Sequence, residues 1–302
     1  MAEKILYFEC RSGISGDMTV AALLDLGADE QQLRDALAGL PVHGYELEIG
    51  RRCSYGLAGC AFNVLLETAH CHHHDHDHAG DGEHHHHEHR NLQDILSLIG
   101  NARLTPRARE IAERTFRIVA EAEARAHGVG VEQVHFHEVG AVDSIVDIVA
   151  AAVCIDQLGV DRVVFSELTE GSGTVHCQHG ELPVPVPAVL NIAAAHGLVL
   201  RRSETRGEMV TPTGAALAAA LGEGVLPERF RIERTGVGVG SRDFGHPNIL
   251  RAMLLTPVRE TAPDSIWVLE SNIDDATGEM LGLAMEKLFS AGARDVHFIP
   301  VS

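Results

Sequence analysis

The sequence predicts an α/β fold, with α+β as the alternative: a large N-terminal domain on a mixed sheet, followed by the start of a second α/β domain. Short apolar runs alternate with helical patterns through residues 1–256, which is typical of helices packed on a sheet. A short segment at 257–263 has a proline at each end, which predicts a linker. A new strand–helix–strand pattern then occupies 264–302.

The N-terminal domain opens with a strand, a loop and two helices. Gly27 is typical of a helix C-cap and Asp29 of an N-cap, so they separate the two helices. In order, we expect a strand at 5–9, helices at 18–26 and 30–40, and strands at 45–51 and 58–67.

The clearest helix covers 106–127. Thr105 is its expected N-cap, Pro106 occupies the first helical position, and Gly128 ends it. A Gly/Pro-rich stretch at 171–187 is expected to be loop or extended chain. The remaining elements are helices at 92–99, 144–158 and 212–221, and strands at 162–167, 230–239 and 249–255.

The last segment is predicted as a strand at 266–273, a helix at 277–291 and a strand at 296–299. A βαβ crossover normally feeds a larger sheet. We therefore expect the sequence to be a fragment, a frameshifted product or one half of a split protein. An extra appendage on the first domain is the alternative.

Composition excludes several classes of protein. The net charge of −19 argues against nucleic-acid and anionic-membrane partners. The longest apolar run is interrupted by Asp147 and Asp156, and no signal peptide is recognisable. Six cysteines without a CxxC pair indicate reduced thiols, so we expect a cytoplasmic protein.

Residues 70–89 form a polar segment with eleven histidines, one cysteine and five acidic residues. It holds almost nothing apolar to bury, so we expect a disordered loop. Imidazoles beside carboxylates suit Ni, Cu, Zn and Co, which indicates a metal store or collector; a functionless insert is the alternative. The predicted ligands are His70, His72, His73, His74, His76, His78, His84, His85, His86, His87 and His89.

A second candidate metal site follows the longest predicted helix. His135 and His137 share one side of an extended segment, with Glu138 next to them. Asp143 and Asp147 are one helical turn apart at the start of the next helix. These side chains could hold one divalent cation with an open position. A capped helix with an ordinary histidine is the alternative, but it leaves Asp147 unexplained in an apolar helix.

The loop of residues 10–17 joins a strand to a helix N-terminus, where backbone N–H groups favour an anion. Its candidate residues are Ser12, Gly13, Ser15, Gly16 and Asp17. For Asp17, a role as a simple helix cap is an equal alternative.

Two weaker clusters lie further along the chain. His176, Cys177 and His179 share the Gly/Pro-rich stretch and could bind a metal. Asp274, Asp275 and Glu279 could bind Mg²⁺ or Mn²⁺ beside a phosphate, and helix capping is the alternative there.

Six stretches together resemble one family, the nickel-insertion proteins of nickel-pincer cofactor biosynthesis. Glu9 and Ala276 depart from the family pattern, where aspartate and methionine are expected. The matching stretches are SGISGDM at 12–18, the histidine-rich insert, VHFHEVGAVDSIVDIV at 134–149, GSGTVHCQHGELPVPVPA at 171–188, VTPTGAA at 210–216 and ESNIDDATGE at 270–279.

The resemblance implies a CTP-dependent cyclometallation. Ni²⁺ would enter pyridinium-3,5-bisthiocarboxylic acid mononucleotide through two Ni–S bonds and one Ni–C bond, giving the cofactor of lactate racemase. The implied partners are this substrate, the lactate racemase apoprotein, the chain's own missing C-terminal part and further copies of the chain. CTP would be accompanied by Mg²⁺ or Mn²⁺ in the C-terminal nucleotide-binding domain, of which 264–302 would be the start.

Under this resemblance, the N-terminal domain handles metal. Residues 70–89 would collect nickel, and His135, His137, Glu138, Asp143 and Asp147 would hold it and pass it to sulfur. Ser12–Asp17 would bind the substrate's phosphate, and His179 would accept the ring proton. A nickel store without catalysis, or a metal-dependent hydrolase, are the alternatives.

Deleting residues 70–89 should lower the nickel stoichiometry sharply and leave the fold intact, because a polar loop contributes little buried area. Equilibrium dialysis measures the stoichiometry, and thermal melting measures the fold. Unchanged stoichiometry, or a large fall in melting temperature, would contradict this expectation.

Overall fold

The computed structural model describes residues 3–66, 90–134, 142–177, 180–258 and 266–300. The histidine-rich segment and the predicted site residues His135, His137, Glu138 and His179 lie outside these ranges. The chain divides into two compact units, residues 1–258 and 259–302.

The first unit is built on a six-stranded mixed sheet, which confirms the mixed α/β class. Its strands are β1 Ile5–Glu9, β2 Tyr45–Ser54, β3 Leu57–Leu66, β4 Arg162–Phe165, β9 Phe230–Val239 and β10 Ile249–Pro257. Their order in the sheet is β2-β3-β9-β10-β1-β4. β1 pairs in parallel with β4 and antiparallel with β10, and β3 meets β9 in parallel at Cys60 and Gly238.

Two small sheets lie outside the main one. Their strands are β5 Leu168–Ser172, β6 Thr174–Cys177, β7 Gly180–Pro183 and β8 Leu200–Arg206. β5 pairs in parallel with β8, and β6 forms an antiparallel hairpin with β7. β5 and β8 were not predicted from the sequence, and the β6–β7 region was expected only to be loop or extended chain.

Seven α-helices and one short 3₁₀ helix, Val131–Gln133, are described in the first unit. The α-helices are α1 Gly16–Leu26, α2 Glu30–Ala38, α3 Leu92–Asn101, α4 Pro106–His127, α5 Val142–Leu158, α6 Pro187–His196 and α7 Pro212–Leu221. α4 matches the predicted span 106–127, with Thr105 accepting the Ala108 N–H at 3.1 Å and Gly128 in the left-handed region.

The core lies between the sheet and the helices. α1 packs on β3, β9 and β10, and α5 packs between α1 and α4. Eleven residues of α5 are buried, which explains why its sequence is almost continuously apolar. Asp147 therefore belongs to a helix whose neighbours are core residues.

Two glycines of β9 let α1 lie directly on the sheet. A Cβ on Gly236 would overlap the carbonyl oxygen of Ala22, and a Cβ on Gly238 would overlap that of Met18. No side chain fits at these two positions, so the glycines set the height and position of α1 above the sheet.

The second unit contains α8, Gly278–Ser290, close to the predicted helix at 277–291. The predicted strands at 266–273 and 296–299 are wrong, since neither segment forms a strand in the described part of this unit. A strand needs a hydrogen-bonding neighbour, and the described residues offer none there. Trp267 and Leu269 are correspondingly exposed.

None of the helices described here is long and apolar enough to cross a bilayer.

Replacing Gly238 with alanine should destabilise the protein by about 1–3 kcal/mol, because the added methyl group forces α1 away from β9. Gly50→Ala is the matched control: Gly50 is also in a strand, and a Cβ there meets nothing within 4 Å. Urea unfolding measures both, and equal stabilities of the two variants would contradict the packing argument.

Candidate functional site

The predicted anion loop, residues 10–17, pairs with residues 209–211, a contact that was not predicted from the sequence. The Ile14 N–H donates to the Met209 carbonyl at 2.9 Å, and the Thr211 N–H donates to the Ile14 carbonyl at 3.0 Å. Gly13 has φ of +85°, and a Cβ there would overlap the Met209 carbonyl oxygen. This pairing places the N-termini of α1 and α7 side by side.

The first turn of α1 presents Ser15 and Asp17. Ser15 occupies the N-cap, and its hydroxyl donates to the Asp17 carboxylate. Asp17 lies in the first turn, where negative charge is favourable, and does not occupy the N-cap itself. The Ser12 hydroxyl instead bonds to another loop, since it donates to the Pro247 carbonyl at 2.8 Å.

Asp147 of α5 lies directly against this turn. A Cβ on Gly16 would lie 2.5 Å from Asp147 Oδ2, so only glycine permits the contact. The Asp17 N–H donates to the Asp147 carboxylate. The structure therefore brings one acid of α5, Asp147, into contact with the loop around Gly16.

Burial raises the pKa of Asp147 well above its usual value, and the nearby charges of Asp17 and Asp143 raise it further. The hydrogen bond from Asp17 N–H acts in the opposite direction. Residue 147 as a whole keeps some solvent exposure, whereas protein surrounds its carboxylate.

Asp143 is exposed at the surface, yet enough protein surrounds its carboxylate that burial is the main cause of its raised pKa. The Ser144 N–H donates to it at 2.8 Å and lowers the pKa. Within the described residues, no three His, Cys, Asp or Glu side chains converge tightly enough to hold a metal. Metal binding by His135, His137 and Glu138 with these acids stays a prediction.

A cavity of about 190 Å³ opens beside Asp17. Among its walls are residues that the sequence did not single out, from the loop between β9 and β10 and from the segment before α7. Its lining residues are Ser15, Asp17, Met18, Glu208, Met209, Thr211, Gly240, Ser241, Arg242, Phe244 and Asn248. Only Ser15 and Asp17 were candidates beforehand.

Glu170 is a second residue that the sequence missed. It is 1% exposed, and its Oε1 accepts the N–H groups of Gly171 at 2.7 Å, Met209 at 2.8 Å and Val210 at 3.2 Å. Burial raises its pKa, and these hydrogen bonds lower it. Glu170 thus fixes the segment that pairs with Ile14. No signal in the sequence indicated this role, because the strand that contains Glu170, β5, was not predicted.

The other candidates lie elsewhere. His176 and Cys177 are in β6, opposite Glu181 and Gly180 of β7. In the second unit, the Asp274, Asp275 and Glu279 side chains are all exposed around the start of α8. Thr277 caps that helix by accepting the Met280 N–H at 3.3 Å.

A family model described as nickel insertion protein matches residues 6–302. The chain belongs to the nickel insertion protein family. This confirms the resemblance that the six sequence stretches indicated.

Several curated relatives of this nickel insertion family member cover nearly all of the chain. The pyridinium-3,5-bisthiocarboxylic acid mononucleotide nickel insertion protein of Alkaliphilus metalliredigens is 52% identical over 98% of the chain and 74% of its own length. A putative nickel insertion protein of Geobacter sp. strain M21 is 45% identical, over 99% of the chain and 73% of its own length. One from Dictyoglomus thermophilum is 38% identical, over 99% and 72%. No solved structure matches the chain.

Asp147→Asn should stabilise this nickel insertion family member at pH values above the unfolded-state pKa of about 3.9, in the absence of metal. A raised folded-state pKa means that the wild type loses stability as pH rises from the unfolded value of about 3.9 through the folded value. Asparagine keeps an acceptor for the Asp17 N–H but does not ionise.

Thermal melting between pH 4 and pH 8 tests this expectation, with Asp143→Asn as the control because Asp143 is more exposed. The difference from wild type should grow with pH and be larger for Asp147→Asn. A difference that shrinks as pH rises would show that the sign is wrong.

Proposed function

We propose that this protein inserts Ni²⁺ into pyridinium-3,5-bisthiocarboxylic acid mononucleotide as a cyclometallating enzyme of the lyase or chelatase class. The observation that carries the proposal is the 52% identity, over 98% of the chain, to the Alkaliphilus protein named for this substrate. The contact of Asp147 with Gly16 and Asp17 supports it, because it joins candidate nickel ligands to a candidate substrate loop.

The substrate's name defines the chemistry that the site must perform. Two ionised thiocarboxylates flank one ring carbon, so insertion forms two Ni–S bonds and one Ni–C bond and releases the proton of that carbon. The nickel stays Ni²⁺, and no electron donor is required. The site must therefore deliver nickel to sulfur and accept one proton.

Carboxylates suit the delivery of nickel. Oxygen ligands bind Ni²⁺ less firmly than the softer sulfur ligands of the substrate. Transfer of the metal from Asp143 and Asp147 to the thiocarboxylates is therefore thermodynamically favourable. In this proposal His135, His137 and Glu138 complete the nickel site, residues 70–89 supply the metal, and His179 accepts the ring proton.

CTP with Mg²⁺ or Mn²⁺ is proposed as the co-substrate, and the lactate racemase apoprotein as the recipient of the product. In the described part of the second unit, Asp274, Asp275 and Glu279 are exposed carboxylates. Three carboxylates supply no positive group for the phosphates, so these residues alone do not fit a nucleoside triphosphate site, and we assign CTP no step.

A nickel store or metallochaperone is the second candidate function, and the eleven histidines of residues 70–89 favour it. The two functions differ in one measurable respect. An insertion enzyme forms the nickel–carbon product when substrate and CTP are added to the nickel-loaded protein, whereas a store releases free nickel only.

His135→Ala, His137→Ala and Asp147→Ala should each abolish formation of the nickel–carbon product, because each removes one ligand from a shared site. Mass spectrometry of the product measures this, and nickel binding by residues 70–89 should persist. Asp156→Asn is the control, an acid in the same helix whose partner is Thr105 at 2.7 Å. Wild-type product formation by all three alanine variants would show that these residues are structural.

A further inference from the structure

The cavity beside Asp17 receives the N-termini of two helices at once. Ser15, the N-cap of α1, and Thr211, the N-cap of α7, both line it. Each helix end carries a partial charge of about +0.5. Asp17 in the first turn of α1 offsets this charge at the α1 end, so the α7 end and Arg242 define the side of the cavity that favours an anion.

Arg242 supplies the full positive charge. Its side chain is half exposed, and its Nη1 donates to the Glu208 carbonyl at 3.1 Å and lies 3.4 Å from Glu208 Oε2. A guanidinium carries five N–H donors in a planar fork that matches two oxygens of a phosphate. Both contacts with Glu208 involve the same nitrogen, and they orient the group at the cavity wall.

The loop that carries Arg242 is held in place from several directions. Ser12 donates to the Pro247 carbonyl at 2.8 Å, the Asn248 N–H donates to Ser54 Oγ at 3.1 Å, and Tyr55 donates to Asp243 at 2.7 Å. These three partners come from the anion loop, β2 and the β2–β3 turn. Because the loop is fixed beforehand, little ordering entropy is lost when a ligand binds.

One polar group in the cavity wall lacks a partner. Asn248 is 4% exposed, its Nδ2 donates to the Arg242 carbonyl at 3.0 Å, and its Oδ1 has no hydrogen-bond partner among the described residues. A buried acceptor of this kind normally receives a hydrogen bond from water. Because the oxygen itself is buried in the wall, it suits an enclosed water and makes no direct contact with a ligand in the cavity.

The acids in the cavity wall indicate how a ligand would be oriented. Glu208 pairs with Arg242, whereas Asp17 lies towards Asp147. Glu208 contacts Arg242 through Nη1, so the other N–H donors of this cationic lining residue favour an anion beside it, whereas Asp17 favours a cation at the α1 end. A pyridinium mononucleotide carries both charges, on its phosphate and on its ring.

The cavity is also small for a complete nucleotide. Its volume of about 190 Å³ corresponds to roughly six water molecules at about 30 Å³ each. Whole-ligand pockets usually measure about 300–1,000 Å³. The space suits a phosphate and part of a ribose, with the ring outside it towards the carboxylates.

We propose that this cavity is the phosphate subsite for the pyridinium mononucleotide substrate, with Arg242 as the residue that recognises the phosphate. The inference rests on the proposed function for the identity of the substrate. It assigns a binding role to the loop between β9 and β10, and it directs the ring towards Asp17 and Asp147.

Calorimetric titration of the full chain with two nickel-free ligands tests the assignment. Nicotinic acid mononucleotide is a pyridinium mononucleotide, and nicotinic acid riboside is the same molecule without the phosphate. The mononucleotide should bind at least about tenfold more tightly, and Arg242→Ala should remove about tenfold of its affinity while changing that of the riboside less than about twofold.

Two further variants complete the design. Arg242→Lys keeps the charge and the pairing with Glu208 but loses the planar fork, so its affinity should fall between those of wild type and Arg242→Ala. Arg231→Ala removes an exposed arginine from the other end of β9 and should change neither affinity. The Lys variant keeps the test valid if the Ala variant does not fold.

The proposal is overturned if wild type does not bind the mononucleotide, or if the Arg242 variants weaken both ligands equally or neither. These measurements are independent of nickel insertion. Phosphate-dependent binding without product formation would leave the subsite in place and contradict the proposed function. Product formation without dependence on Arg242 would contradict the subsite alone.

Discussion

The pairing of Ile14 with the 209–211 segment is the interaction on which the rest of the site depends. Two backbone hydrogen bonds join chain segments almost two hundred residues apart, and they set two helix N-termini next to each other. Gly13 and Gly214 permit the close approach, since a Cβ on either would overlap the opposite backbone. Without this pairing, Ser15 and Thr211 would not line a common cavity. The cavity beside Asp17 would also lack the wall that Glu208 and Met209 form.

The segment facing Ile14 is itself held by a buried carboxylate. Glu170 accepts three backbone N–H groups with one oxygen, at a cost in desolvation that the raised pKa reflects. Its other oxygen has no partner among the described residues. A charge placed in this way acts on the geometry of the chain, because it fixes where residues 209 and 210 lie relative to the anion loop.

Local sequence signals identified most of the helices and the strands of the main sheet. The Thr105–Pro106 start and the Gly128 end of α4, and the capping residue Asp29 of α2, depend only on neighbours in sequence. The wrong strands at 266–273 and 296–299 were inferred from apolar composition alone, which cannot show whether a hydrogen-bonding neighbour exists.

The candidate site was predictable only in part, for a similar reason. Unusual acids such as Asp17 and Asp147 are visible in sequence because they interrupt apolar patterns. Arg242 and Asn248 lie in an ordinary polar turn, and only the folded arrangement brings them to the start of α1. Their proximity depends on the register of β9 with β10 and on the pairing of Ile14, which composition and periodicity do not encode.

Asp17 belongs to two environments at once, since its carboxylate borders the cavity and its charge acts on Asp147. Any group that changes the electrostatic potential at Asp17 from one side therefore changes it on the other. A cation at the acids of α5 and an anion beside Arg242 then become thermodynamically linked, and the linkage is reciprocal. If the first species to arrive strengthens binding of the second, the second strengthens binding of the first by the same factor. One shared side chain would thus couple the affinities for the metal and the organic ligand, whichever of them binds first.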